Sequence, residues 1–524
     1  MALIRTKLSA CVALLAAVLL SACGLLPTHA DLPVSHALSP SLDSPLARIA
    51  QDSTPDPSLS GFRLMAGGYY SLDARIELVR RARNSLDVQY YLIQNDRSGR
   101  LFMRNLRDAA LRGVRVRLLV DDLNTVGGDP MFRGLAAFTN VEVRLFNPFC
   151  CARQSVASRY AASLGEFRRL NHRMHNKLFI ADGSIAVMGG RNIADEYFAR
   201  SATSNFVDMD VLVIGNVVAR LASIFDSYWN SREAYPVGAI LGESGDVEEA
   251  RRSFNHLVDD GDQMMSVKVP QSDMMGHRLI GIDLDSGRLE LALGTANAFA
   301  DQPAKVMATS VEQARAMSVQ MNVMDRVAES KREVVISSPY FVPGTTGVDA
   351  FADLRRRGVK VVILTNSLAA NDVPIVHIGY ARYRVPLLRT GVELYELSRS
   401  GVERDEPVAI PSMSLGRLHA KAAVLDQSMV YIGSMNLDPR SDSTNTELGI
   451  FVQCPELARD VTRAIDMSRL HSSYLVRFGP DGQRLEWRLM GEQPEEVFTS
   501  EPDVTPIMEF RNMLLAPFVP EQLL

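Results

Sequence analysis

Apolar and polar positions run in the same order twice along this chain. Ser85-Leu86-Asp87-Val88-Gln89-Tyr90-Tyr91 reads as a strand, and a helical stretch follows with Leu101, Leu106 and Ala109 on one face. Arg112-Gly113-Val114 then turns into an apolar strand from Val116 to Val120. Further on, Val334-Val335-Ile336-Ser337-Ser338-Pro339-Tyr340-Phe341 again reads as a strand, followed by a helical stretch through Phe351 and Leu354. Arg357-Gly358-Val359 leads into the strand Lys360 to Leu364. Strand, helix, Gly-Val turn and apolar strand is the grammar of βαβ units around a buried parallel sheet. The expected fold is therefore α/β, two fused halves related by a pseudo-two-fold.

The flanking segments lack this order. Arg5 and Lys7 precede an apolar run from Leu8 to Leu20 that is too short to span a bilayer, which predicts an export leader over residues 1–22. It ends in Leu20-Ser21-Ala22-Cys23, which resembles a bacterial lipobox and predicts acylation at Cys23, a membrane anchor. Proline and serine then dominate, so 23–59 is expected to be a flexible tether. The body divides into a first domain over 60–236, an insertion or linker over 237–306, a second domain over 307–475 and a tail over 476–524 that packs on the body.

With 524 residues the chain exceeds what one core organises, and 47% apolar with 22% charged residues is an ordinary globular composition. The net charge of −5 speaks against a nucleic-acid partner, which a basic field would announce. Cys150, Cys151 and Cys454 have neither disulfide-framework nor zinc-ligand spacing, and are expected to be buried, inert thiols. His29, His36, His256, His277, His377 and His471 are read as structural.

Lysine usage changes the picture. The 56 basic residues are nearly all arginine, so a lysine that recurs in a motif is not there for solubility alone. One motif reads His175-Asn176-Lys177, Asp182, then Gly189-Gly190-Arg191-Asn192. The other reads His419-Ala420-Lys421, Asp426, then Gly433-Ser434-Met435-Asn436. The same interval separates each matched pair.

The apolar runs around Asp182-Gly183-Ser184 predict a hairpin. On an extended strand, His175 and Lys177 leave one face together. Asp182 and Asp426 complete the catalytic cassettes from the turns, where a carboxylate braces backbone rather than touching substrate. A phosphodiester suits this set. Lys177 and Lys421, with the amides of Asn192 and Asn436 and the Ser434 hydroxyl, would hold its oxygens. One imidazole would attack phosphorus while the other protonates the leaving alcohol. No metal or other cofactor is called for: His172 and His175 have the spacing of a metal pair but no nearby carboxylate or thiol, and the lysines would repel a cation.

These residues resemble the phospholipase D superfamily, whose mark is a His-Lys-Asp cassette in each of two α/β halves with the active site at their interface. Gly189 to Phe198, Arg169-Leu170-Asn171, Asn436 to Ser441 and Asn445-Thr446-Glu447 are similar to bacterial cardiolipin synthases of the C-type branch. The resemblance implies transfer of a phosphatidyl group from one phospholipid to phosphatidylglycerol, with phosphatidylethanolamine a further candidate substrate, His175 as nucleophile, His419 as general acid, and Asp208 and Glu447 orienting the histidines. The usual relative carries N-terminal transmembrane helices. The leader here instead implies an anchored lipoprotein of the bacterial envelope, facing the periplasm or exterior. From the residues alone a hydrolase releasing phosphatidic acid, a nuclease and a noncatalytic lipid-binding lipoprotein remain open.

Overall fold

The computed structural model describes residues 26–27, 32–242, 245–259, 270–399, 415–491 and 496–516. The leader and Cys23 lie outside the described residues.

Three parallel strands, Ser85–Tyr90, Arg115–Asp121 and Val141–Phe146, form the middle of the first half. Beside them lies the hairpin Leu178–Ala181 and Ile185–Gly189, followed by Asp210–Gly215 and Ser60–Met65, all antiparallel to their neighbours. The second half repeats the plan. Glu333–Ser337, Lys360–Asn366 and Glu393–Leu397 are parallel, and the hairpin Ala422–Leu425 and Met429–Gly433 leads to Leu448–Gln453.

The crossover helices form where the apolar spacing places them. Arg97–Leu111 starts at Asp96, whose side chain accepts from the backbone N–H of Gly99, and it buries Phe102, Met103, Leu106, Ala109 and Ala110 as one stripe. Gly113 at φ +94° ends it, a conformation that costs a residue with a Cβ. Gly344–Arg356 buries Phe351 and Leu354, and Gly358 at φ +82° repeats the stop.

One core runs across the junction. Met188, Val211 and Phe225 of the first half share a cluster with Leu418, Ile450 and Ile465 of the second. Each such fully buried side chain contributes about 1.5–3 kcal/mol.

Several expectations need correction. The segment 237–306 contains the strand Ala292–Ala300, which pairs with Ser60–Met65 and with Leu448–Gln453, so it joins both halves into one sheet, of 18 strands among the described residues. Much of the expected tether is bound. Ser35 and Ala37 donate backbone N–H groups to Asn230 and Asp226, and Pro45–Ser53 is a helix that buries Leu46, Ala47, Ile49 and Ala50. Ser44 at its N-cap and Pro45 at its first turn were the overlooked start signal.

The tail supplies sheet rather than packing alone. Ser473–Phe478, Leu485–Leu489 and Val497–Phe498 extend the second half. The strand read through to Phe341 stops at Ser337, ahead of Pro339, which has no N–H for the ladder. Cys454 is buried, but Cys150 and Cys151 are only half-buried.

Candidate active site

The two cassettes meet because short segments cross between the halves. Ser204–Val207 pairs in parallel with Leu415–Leu418, just before His419. Reciprocally, His175 donates its backbone N–H to Thr446, and Thr446 donates to Arg173, just before Glu447. Asp121, at the carboxyl end of its strand, accepts from the Met174 N–H at 2.9 Å and fixes the approach to His175. The site therefore sits at the carboxyl edge of the parallel strands, the usual place for a ligand in an α/β sheet.

Both hairpins form as the sequence predicts, but the strands begin at Leu178 and Ala422, so the His-x-Lys residues lie in the entering segments. Lys177 Nζ folds back to donate to the His175 carbonyl at 2.6 Å, and Lys421 Nζ does the same to His419 at 2.6 Å. All four cassette side chains are buried.

Each histidine is held by the opposite half. His175 Nδ1 lies 3.0 Å from Glu447 Oε2 and 3.0 Å from the Ser434 carbonyl. His419 Nδ1 lies 2.7 Å from Asp208 Oδ2. With only acceptors of this kind around Nδ1 of His175, the proton belongs there, and Nε2 carries the lone pair. Against the cost of burial, the paired histidine holds each carboxyl below its ordinary value, so both stay ionised.

Burial and the facing lysines have the opposite effect on the bases. Burial, then Lys177, push His175 down to about 4, and burial, then Lys421, lower His419. Burial brings Lys177 down to about 7 and Lys421 to about 8. Lys177 and Lys421 depress each other's cassettes, which marks the six groups as a single electrostatic cluster.

The remaining sequence-predicted residues divide. Asn192 donates Nδ2 to the Tyr197 hydroxyl at 2.9 Å, while the Oδ1 atoms of Asn192 and Asn436 are buried without a partner. These oxygens can only accept, so a phosphate oxygen would have to meet the Nδ2 hydrogens of the same amides. Ser434 is corrected: its hydroxyl donates to Glu447 Oε2 and accepts from the Leu448 N–H, so it supports the carboxylate instead of facing phosphate.

Asp182 and Asp426 stand at the far turns. Asp182 accepts from the N–H groups of Arg83, Asn84 and Ser85 and from the Ser44 hydroxyl. Asp426 accepts from Lys331, Arg332 and Glu333. Neither touches the histidines.

Sequence reasoning missed several supports. Tyr91 lies edge-on to His175 with centroids 5.1 Å apart, and Lys177 Nζ is 5.4 Å from the same ring. Tyr197 and Phe206 enclose His419 at 5.2 and 4.8 Å. Ser441 donates to Glu447 Oε1 at 2.8 Å. Tyr197 and Ser441 both lie inside the extended motifs, which was the available signal. Among the described residues no cluster of His, Cys, Asp or Glu could hold a metal, and no helix is long and apolar enough to cross a membrane.

Comparison with known proteins adds to this geometry. The profile of the family described as "Cardiolipin synthase, PLD-like domain" matches the chain twice, over residues 76–229 and 323–468. Cardiolipin synthase C of Escherichia coli (strain K12) is 39% identical over 82% of this chain and 90% of its own length. A cardiolipin synthase of Staphylococcus aureus (strain Mu50) is 24% identical over 79% of this chain and 68% of its own. The fold is similar to that of phosphatidylserine synthase from Haemophilus influenzae Rd KW20, with a TM-score of 0.54, 13% identity, and coverage of 93% and 97% of the two chains.

Proposed function

The chain belongs to the cardiolipin synthase family of phospholipase D-like enzymes, and from that membership we propose that it is a phosphatidyltransferase making cardiolipin or a closely related phospholipid. The observation that carries the reading is the pair of histidines, each with Nδ1 held by the other half's carboxylate and flanked by a buried lysine.

In this reading the phosphodiester of one phospholipid enters the cluster with its nonbridging oxygens between Lys177 and Lys421 and the amides of Asn192 and Asn436. The anion restores the lysines' charge, which burial alone weakens. His175 Nε2 attacks phosphorus, His419 delivers a proton to the departing alcohol oxygen, and a phosphohistidine remains. His419, now neutral, takes the proton of an incoming hydroxyl, which attacks phosphorus and releases His175. Asp208 and Glu447 hold the ring orientation and stabilise each imidazolium as it forms. Asp182 and Asp426 act through the backbone they brace.

The substrates of this reading are phosphatidylglycerol as acceptor and phosphatidylglycerol or phosphatidylethanolamine as donor. Cys23 supplies a lipid anchor that places the body at a bacterial envelope membrane, facing the periplasm or exterior.

The test is lipid mass spectrometry on the full chain in mixed micelles of the two lipids, beside His175→Ala. Cardiolipin formed only by the intact enzyme is the expected outcome. Phosphatidic acid without cardiolipin would make the reaction hydrolysis, and no lipid product would remove the reading altogether.

A further inference from the structure

The helix Pro506–Leu515 turns large apolar side chains away from the body. Ile507 is 80% exposed, Phe510 62% and Leu514 58%, at the i, i+3, i+7 spacing of one face. The side turned to the body carries half-buried Met508 and the buried amide of Asn512. A surface helix ordinarily does the reverse, so this face is shaped for an apolar partner.

Its position ties that partner to the active site. Three residues before the helix begins to form, Asp503 accepts from Ser398 at 3.2 Å and from the Tyr474 hydroxyl at 2.8 Å. Ser398 directly follows the strand Glu393–Leu397, so the helix starts at the same carboxyl edge of the sheet that carries the histidines. It packs on the helix Pro374–Ala381, and Arg382 bonds the Ala516 carbonyl at 3.0 Å. That neighbour begins two residues after Asp372, whose carboxylate bonds Tyr340 and whose charge reaches Lys421 and Tyr197. Ile375, on its first turn, is another exposed apolar side chain.

The charges choose among occupants. Arg511 is exposed and shares the face with Ile507 and Leu514. The one carboxylate of the helix, Glu509, is set roughly 160° round from Ile507. Apolar side chains interleaved with arginine suit an anionic lipid surface, where the guanidinium reaches up to phosphates while its stem stays among acyl chains.

We propose that the outward face of Pro506–Leu515, with Ile375, docks on the surface of an anionic bilayer and brings the histidine-bearing edge of the sheet to the headgroups. This rests on the reading of the substrate as a membrane phospholipid. It gives the body a second membrane contact, independent of any acyl chain at Cys23.

Phe510→Trp in the full chain tests it, reconstituted with vesicles of phosphatidylglycerol and phosphatidylethanolamine whose acyl chains carry bromine. The native Trp229 and Trp487 are buried and contribute a constant background. Leu111→Trp is the control, since Leu111 is exposed at the opposite edge of the sheet. Loss of the added emission for Phe510→Trp alone is the expected result. An unquenched, water-exposed indole would overturn the proposal. So would a blue shift that depends on protein concentration and not on lipid, which would give the face to a second copy.

Ile507→Asp with Phe510→Asp should also cut turnover on vesicles while leaving turnover on monomeric short-chain phosphatidylglycerol unchanged. Equal loss on both would make the helix merely structural. If the unaltered chain forms no phosphatidyl product, the functional reading fails, and quenching still decides the docking surface by itself.

Discussion

Glu447, in the second half of the chain, accepts the Nδ1 proton of His175, in the first, at 3.0 Å. Asp208 and His419 reverse the direction at 2.7 Å. The two carboxylates are equivalent by register. Gly189 lies opposite Asp210 and Gly433 opposite Gly449, so each carboxylate stands two residues before the partner of its cassette glycine. Neither half orients its own cassette histidine; each supplies the ring that the other holds.

Replacing either brace therefore removes the tautomer and not the fold. Glu447→Gln and Asp208→Asn should each lower kcat by up to about 10⁴-fold, the loss that follows when a catalytic-triad histidine loses its orienting carboxylate. Circular dichroism and thermal melting should change little, because each amide keeps the shape of the carboxylate. A variant with near-normal kcat would show that the crossed pairs are packing alone.

The matched positions Gly190 and Ser434 should tolerate change very differently. A Cβ on Gly190 would overlap the Asp208 carboxylate, so Gly190→Ala should displace the brace of His419 and abolish turnover. Ser434→Ala removes one hydrogen bond to Glu447, with Ser441 still donating to the other oxygen. A bond to a charged group contributes about 1.5–3 kcal/mol, which predicts a fall in kcat of about 10- to 100-fold. Steady-state kinetics on the two variants decide it, and equal losses would refute the asymmetry.

The two cassette aspartates should be stability residues of unequal weight. Asp182 is buried and satisfies three backbone N–H groups and a hydroxyl, so Asp182→Ala should cost about 3–4 kcal/mol. Asp426 binds a similar turn while only half-buried, and Asp426→Ala should cost about 1–2 kcal/mol. Denaturant melts report both values, and the folded fraction of each variant should retain kcat.

What could be read from the chain follows the same division between local and crossed interactions. The cassettes were legible because histidine and lysine are scarce and recur at one interval, and the parallel strands because their apolar runs are bracketed by Gly-Val turns. The strand Ala292–Ala300 was not, since its alanine, glycine, threonine and asparagine carry little hydrophobic pattern; it is held by edge pairing on both sides. The docked segment around Ser35 was equally silent, because its bonds go to Asp226 and Asn230 far along the chain. The Ser434 hydroxyl was assigned to phosphate because sequence adjacency to the cassette cannot show which way a side chain faces.

The pH dependence follows from four buried groups. In the proposed mechanism His175 must be neutral to attack, so its contribution is present above about 4 and lost as pH falls through that value. In the same mechanism His419 must carry a proton for the leaving alcohol, and burial, then Lys421, puts its midpoint below the ordinary histidine value, so activity falls as pH rises through that lowered midpoint. Lys177 and Lys421 must be charged to receive the anion, and they lose that charge from about 7 and about 8 upward. All three alkaline losses add on one side. The profile of kcat/KM, which reports the free enzyme, should thus be highest between about 4 and the lowered His419 midpoint and decline steadily toward pH 9. Bound phosphodiester raises the pKa of every cation in the cluster, so kcat should hold its plateau to higher pH than kcat/KM does. Measuring both with a monomeric short-chain phospholipid separates the two limbs. A kcat/KM that climbs from pH 6 to pH 9 would mean that an uncharged lysine or a hydroxide does the work here assigned to the protonated His419.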